Sequence, residues 1–211
     1  MPTGSDPFLS MRKAVQHLKR SDAVMAALIN QVGACKMQQR EADFNSLTRS
    51  IVYQQLSGKA ASTIFGRVVE AAKCDPLTPQ AVLHVHPEMM RAAGLSQQKA
   101  SYVRDLAEKT RDGVVDFSRL PSLSDDDVIA HLTQVKGVGV WTVQMLLMFA
   151  LERADVLPVA DLGIRNAIQR AYALDAPPKP KEMEALAQKW RPYRTVACWY
   201  LWRSLDGPAA L

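Results

Sequence analysis

The chain has 211 residues, of which 48% are hydrophobic; this supports one large domain or two small lobes with a buried core and excludes a disordered chain. A net charge of +5 and a pI near 9.2 suit a polyanionic partner such as nucleic acid without requiring one. Three scattered cysteines, Cys35, Cys74 and Cys198, form no CxxC pair, which disfavours a zinc ribbon, thioredoxin-type chemistry or a four-cysteine iron–sulfur cluster and suits a reducing cytoplasm.

Residues 1–6 read as a loose tail, and the chain start lacks the apolar core of a signal peptide. From Pro7 to Lys19, the residues Phe8, Met11, Val15 and Leu18 recur at helical spacing. Ser21 or Asp22 can cap the next helix, which carries Val24, Leu28 and Ile29 and breaks at Gly33. A third helical pattern, Phe44 to Gln55, places Leu47, Ile51 and Val52 on one face. The polar run Gln54, Gln55, Leu56, Ser57 stops it. Ser57 then caps a helix whose predicted buried stripe is Ala60, Ala61, Ile64, Phe65 and Val68.

Thr78-Pro79 starts a helix with proline in the first turn, and Pro87 opens another that Gly94 ends. Ser96 caps a helix running toward Gly113 with Tyr102, Val103 and Leu106 inward. Ser124, followed by Asp125, Asp126 and Asp127, is a capping hydroxyl with acids in the dipole-favoured first turn. That helix is predicted to bury Val128, Ile129 and Leu132 and to end before Gly137. Val140 to Leu151 is apolar nearly all round, so a central buried helix is expected. Pro158 breaks the chain, and Asp161 starts a helix through Ala171. Pro177, Pro178 and Pro180 form a stiff linker before two last helices, Glu182 to Trp190 and Tyr193 to Leu205. No run of about 18 apolar residues marks a membrane span, so no membrane partner is expected. Without strand alternation, short repeats or heptads, the expected fold is all-α, roughly ten helices joined by short loops.

The segment from Leu132 to Trp141, LTQVKGVGVW, carries the most chemistry. It has the helix-hairpin-helix form: two glycines between apolar helical patterns. Glycines let the backbone turn tightly and approach a ligand, and the following helix turns its unpaired N–H groups to the same place. A phosphate suits that position, with Lys136, Gly137, Val138 and Gly139 as backbone grip. Such contact positions DNA without reading bases. An ordinary glycine-containing turn between helices fits the same residues. Downstream, Asp161 follows Pro158-Val159-Ala160 and precedes an apolar helix, which fits a helix N-cap as well as a catalytic acid.

Together, the hairpin, Trp141-Thr142 and Pro158-Val159-Ala160-Asp161 resemble the helix-hairpin-helix Gly/Pro/Asp superfamily of DNA glycosylases, in particular the DNA-3-methyladenine glycosylase II group. The stretches IVYQQLSGKAA (51–61), AGLSQQKA (93–100) and WRPYRTVA (190–197) agree, so the likeness spans roughly residues 20–205. It implies two helical lobes with a DNA cleft between them. One lobe would cover about 40–155, the other 1–39 plus 156–211. A compact form without the N-terminal β-rich lobe of some relatives is expected, with the N-terminal residues packing with the C-terminal helices.

By the resemblance, Asp161 matches the catalytic aspartate, which stabilises an oxocarbenium-like transition state or activates water. Lyase relatives carry a lysine where this chain has Trp141. An indole cannot form a Schiff base, so a monofunctional enzyme in base excision repair is implied. The implied substrates are alkylated purines of the 3-methyladenine and 7-methylguanine type in duplex DNA. Their positive charge is attracted to an indole face by about 0.5–2 kcal/mol. Trp141 and Trp202 match pocket aromatics, and Tyr53 is a further candidate; core packing is the alternative for all three. Trp190 and Trp199 read as structural. Gln54, Gln55, Leu56 and Ser57 lie where the family places its intercalating loop, with Gln55 at the wedge point and Leu56 beside it; a plain polar turn is the alternative.

The family's hairpin can hold Na⁺ or K⁺ through main-chain carbonyls, here Thr133, Val135 and Val138; no catalytic cofactor is implied. The expected partner is duplex DNA, the expected state a monomer, and the expected location the cytoplasm, with the nucleoid if the source is bacterial. Two other readings stay open. One is a non-catalytic helix-hairpin-helix DNA-binding module; the other is a glycosylase for deaminated or oxidised bases.

Overall fold

The computed structural model describes residues 7–205, with side chains from Met11 onward. The tail expected at residues 1–6 and the predicted inward side chain Phe8 lie outside the described residues. Among those described there are twelve α-helices, two 3-10 helices and no strand. The expected all-α class holds, with short capped helices as the building block. None of these helices is long and apolar enough to cross a membrane.

The chain divides into two compact units, residues 40–151 and residues 1–39 with 152–211. The first contains α3 (Phe44–Tyr53), α4 (Gly58–Ala72), α5 (Pro79–His84), α6 (Pro87–Ala92), α7 (Gln97–Arg111), α8 (Asp125–Leu132) and α9 (Val140–Phe149). Side-chain caps start most of them where expected: Ser57, Thr78, Ser96 and Ser124 each accept a backbone N–H of the first turn. Around α7, helices α3, α5 and α6 pack. Leu47, Ile51, Val68, Val82, Val103 and Leu106 form the buried centre.

The second unit joins α1 (Pro7–Ser21) and α2 (Ala23–Val32) to α10 (Leu162–Ala171), α11 (Pro180–Leu186) and α12 (Arg194–Leu205). Both N-terminal helices pack on α12, as expected of the chain start. Helix α12 is buried along most of its length, from Thr195 to Leu201, because α1, α2 and α10 cover it.

Several expectations are corrected. Ala60 is exposed, not part of the α4 stripe, while Ala61 and Val68 are buried and Ile64 and Phe65 half-buried. The stripe is narrower because α4 is a surface helix with one covered side. Tyr102 and Ile129 are half-buried. Helix α9 is not buried throughout: Val140 and Trp141 are exposed, and burial starts at Thr142. A 3-10 helix, Phe117–Ser122, arose where no element was predicted. Pro180 begins α11 and does not stand outside it.

Of the two possible caps for α2, Asp22 is the one used, accepting from Val24 N at 2.9 Å. It is buried and also accepts from the Trp190 indole at 2.8 Å, from the Tyr172 hydroxyl, and pairs with Lys189 at 3.1 Å. Burial pushes the Asp22 carboxyl upward, but hydrogen bonds from Tyr172, Trp190 and Lys189 outweigh it and hold the group below its ordinary value. A depressed carboxylate contributes stability that is present above its unfolded pKa and lost as pH falls through the folded one. Acid should therefore loosen this unit only below the ordinary carboxylate range. Asp22→Ala, which removes a cap and leaves two buried donors unpaired, should cost on the order of 3 kcal/mol in a urea melt at neutral pH. The difference between variant and parent should shrink as the melt is moved to acid; a pH-independent difference would contradict this account.

Candidate active site

Helix α8 ends at Leu132, and α9 starts after Gly139, so residues 133–139 form the turn of a helix-hairpin-helix. Gly137 sits at φ +77°, in the left-handed region. A Cβ there would fall inside the Tyr102 ring, so glycine is required twice over. Gly139 is different: its φ is −95°, and a Cβ would meet open space. It serves as N-cap of α9 with no side chain capping the helix. Its smoothness, not its conformational freedom, is what leaves the α9 N-terminus approachable.

Lys136 is 70% exposed in its side chain, while its backbone N–H is donated to Asp105 at 2.9 Å. Asp105 is buried and also receives Lys109 Nζ at 2.6 and 2.7 Å. Burial raises the Asp105 carboxyl, but these partners prevail and hold it low, so it stays ionised beneath the turn. Val138 N donates to the Val135 carbonyl at 3.1 Å, which closes the turn from within. Trp141 stands in the first turn of α9 at 44% exposure, a surface position and not a core one.

The run Gln54–Ser57 is a tight turn between α3 and α4. Gln55 occupies the left-handed region at φ +56°, and Leu56 is an exposed apolar side chain beside it. Gln54 instead turns back: its Nε2 donates to the Gly137 carbonyl at 3.0 Å. Loop and hairpin, 83 residues apart in sequence, are therefore brought together. Tyr53 is half-buried, and the Arg49 guanidinium lies 4.3 Å from its ring centre, so a cation already covers that ring.

Asp161 is 8% exposed and caps α10, with Oδ1 accepting Ile164 N at 2.7 Å. The same oxygen accepts the Trp202 indole N–H at 3.0 Å. The helix-cap reading of Asp161 is thus correct as geometry, and the second donor goes beyond what a cap needs. A Cβ on Gly163 would lie 3.1 Å from Asp161 Oδ1 and 3.1 Å from the indole, so glycine leaves room for that approach. Leu162, next in the chain, is 64% exposed.

The tract leading to Asp161 is tied to the start of α12. Arg194 makes a two-pronged pair with Asp155 at 2.7 and 3.0 Å and reaches the Asp155 carbonyl at 2.7 Å. Thr195 Oγ1 donates to Arg153 O at 2.6 Å and accepts Val156 N at 3.1 Å. One helix therefore anchors the tract through Arg194 and Thr195 and the carboxylate through Trp202, two turns further on. Arg194, Thr195, Gly163 and Asp105 carry no functional signal in the sequence, and Tyr102 reads there only as an inward helix residue. A short run such as WRPYRTVA carries no sign of which side chain it holds in place. Trp190 and Trp199 are buried, Trp190 fully, as expected of structural residues. Among the described residues no cluster of His, Cys, Asp or Glu could hold a metal ion.

Trp202 thus contacts the acid directly, whatever else it lines. Trp202→Phe keeps the aromatic face but removes the N–H; in the base excision that the resemblance implies, it should lower release about tenfold, the scale of one lost hydrogen bond to a charged group. Single-turnover base release measured against duplex affinity checks this; unchanged release would reduce Trp202 to a lining residue.

With this geometry in place, the family follows. Residues 48–192 match the HhH-GPD superfamily of base excision DNA repair proteins, and the chain belongs to that family. It is 36% identical over 202 residues to DNA-3-methyladenine glycosylase 1 of Schizosaccharomyces pombe, covering 92% of this chain and 88% of that protein. The solved structure of the S. pombe 3-methyladenine DNA glycosylase in complex with abasic DNA superposes with a TM-score of 0.79 at 35% identity, over 91% of this chain and 96% of that one. A relative from Bacillus subtilis is 34% identical over 170 residues; 77% of this chain matches, spanning 59% of that protein's length.

Proposed function

We propose that the protein is a monofunctional DNA glycosylase that hydrolyses the N-glycosidic bond of alkylated purines, of the 3-methyladenine and 7-methylguanine type, in duplex DNA and so begins base excision repair. The observation that carries this is the Asp161 carboxylate, buried and fixed by both the Ile164 N–H and the Trp202 indole. Relatives named as 3-methyladenine glycosylases and the S. pombe neighbour bound to abasic DNA support the substrate class.

In this reading the hairpin turn holds a phosphate through the main-chain N–H groups of Gly137 and Gly139 and the Lys136 ammonium, since the Lys136 and Val138 N–H groups are turned inward to Asp105 and Val135, and the lesion is swung out of the stack. Gln55 and Leu56 stand at the tip of the loop that fills the gap. Trp141, exposed at the head of α9, takes the cationic base on its indole face. The C1′–N bond breaks with its electron pair leaving on the base, which is already positively charged and departs neutral. Positive charge then develops on the sugar, where the Asp161 carboxylate stabilises it. Water adds its oxygen to C1′, and its proton passes to the Asp161 carboxylate. Trp141 offers no amine, so the reaction stops at the abasic site.

By the family resemblance, the carbonyls of Thr133, Val135 and Val138 would be the ones to hold a monovalent cation. They lie at the C-terminal, partly negative end of α8 and in the turn beyond it. Na⁺ or K⁺ there would add positive charge at the phosphate grip and take no part in bond breaking. The working form is a cytoplasmic monomer on duplex DNA, without a catalytic cofactor or a membrane partner.

Incubation with methylated duplex DNA tests the reading. Free alkylpurines should appear together with alkali-labile abasic sites, with no strand nicks before alkali. Tight duplex binding without base release would assign the protein to the non-catalytic binding modules instead.

A further inference from the structure

The stretch AGLSQQKA, 93–100, has no role in the mechanism above, yet it supplies a cation in an uncommon position. Lys99 stands in the first turn of α7 and is half-buried, and burial lowers its pKa. Its Nζ donates to two carbonyls of another element, Val52 O at 2.7 Å and Gln54 O at 2.5 Å. These belong to the end of α3 and the start of the loop, where the partly negative helix terminus favours a cation. The same helix carries Tyr102, packed under Gly137, and Asp105, which accepts Lys136 N. Gln98 Nε2 donates to the Tyr102 hydroxyl at 2.5 Å. Residues 99, 102 and 105 follow one another at intervals of three, and 98 lies four before 102, so they share one edge of α7. That edge holds the loop at one end and the hairpin at the other, and Gln54 bridges the two at Gly137.

We infer that this edge of α7 is a spacer setting the wedge loop in register with the phosphate grip, with Lys99 and Gln54 as positioning residues for base extrusion. The inference rests on the glycosylase reading. A grip fixes where the backbone lies, and the wedge tip must then enter the stack at one step along it. Gln55 in its left-handed conformation and the exposed Leu56 hang from the segment that Lys99 holds. Releasing Lys99 frees two carbonyls at the root of the loop and leaves the hairpin's own supports, Tyr102 and Asp105, in place. Register is lost, while grip and chemistry remain.

Lys99→Met keeps the length and apolar stem and removes the donor, and Lys99→Arg restores it. Gln54→Leu removes the bridge at an exposed hydrogen bond and so carries little folding risk. Each is assayed on three DNAs: a duplex with 7-methylguanine paired, the same lesion in a single-base bulge, and a duplex with 2-aminopurine at the extrusion position. For Lys99→Met the expected result is excision of the paired lesion lowered by about tenfold or more, as misplacement commonly causes. The 2-aminopurine emission rise should fall in parallel. Excision of the bulged lesion, already unpaired, should stay within about twofold. Binding to undamaged duplex should be unchanged, and Lys99→Arg should recover most of the loss. Gln54→Leu should lose paired-lesion excision and 2-aminopurine emission together.

Equal loss on paired and bulged lesions would overturn the inference in favour of a general folding defect, and no loss in either variant would overturn it outright. If the parent protein releases no base from any methylated DNA, the glycosylase reading fails; the 2-aminopurine emission of parent and variants still decides the spacer, and a parent without emission overturns it.

Discussion

Asp161→Asn is expected to leave the protein folded and bound to duplex DNA while excision of alkylated bases falls by about a hundredfold or more, the usual scale for losing one transition-state stabiliser. The substitution separates the capping role that Asp161 performs from the catalytic role proposed for it. As N-cap of α10 it accepts Ile164 N at 2.7 Å, and Asn performs this about as well as Asp. The amide oxygen also still accepts from the Trp202 indole. What disappears is the negative charge, which matters only when the sugar becomes positive and when water must give up a proton. A urea melt, a duplex titration and single-turnover release, run side by side, give the three readouts. Wild-type release from the Asn variant would falsify the assignment of Asp161 as the catalytic group.

The second large effect concerns Gly137. Gly137→Ala should weaken duplex binding by more than about tenfold, since φ +77° costs a residue with a Cβ about 1 kcal/mol and the new methyl would overlap the Tyr102 ring. The turn has to move, and its phosphate-facing donors move with it. Gly139→Ala meets neither obstacle and should fold normally. Lys136→Ala should lower affinity only a few-fold and flatten the salt dependence by about one unit of slope, as for a single exposed phosphate contact. Pairing Gly137→Ala with Tyr102→Ala should return part of the lost affinity, because the two side chains compete for one volume. Fluorescence anisotropy on an undamaged duplex measures all four. Parent-like affinity in Gly137→Ala would remove the hairpin from the account of DNA binding.

Local signals made most helices legible. Ser57, Thr78, Ser96 and Ser124 each cap the helix that they precede, and Thr78 and His86 are followed by prolines in the first turn. The hairpin was legible for the same reason: its glycines, its flanking helices and Lys136 lie within ten residues. Burial was read less well. Ala60, Val140 and Trp141 are apolar in type but exposed, since periodicity marks a face and neighbouring elements decide whether it is covered. Tyr53 shows a related limit, as Arg49 on the same helix stacks on its ring one turn away.

By itself, then, the sequence determined the helical class, the glycine turn between two helices, the placement of an acid at a helix start and the absence of a Schiff-base lysine at Trp141. All of these depend on residue types within one or two turns, where backbone conformation and capping chemistry act. Only the tertiary structure decided that Trp202 donates to Asp161 across 41 residues, that Arg194 and Thr195 anchor the tract before it, and that Gln54 reaches Gly137 across 83. Those bonds join side chains to atoms whose positions are set by the packing of α12 and of α7. A pattern along the chain carries no record of which distant carbonyl or carboxylate will be held within 3 Å.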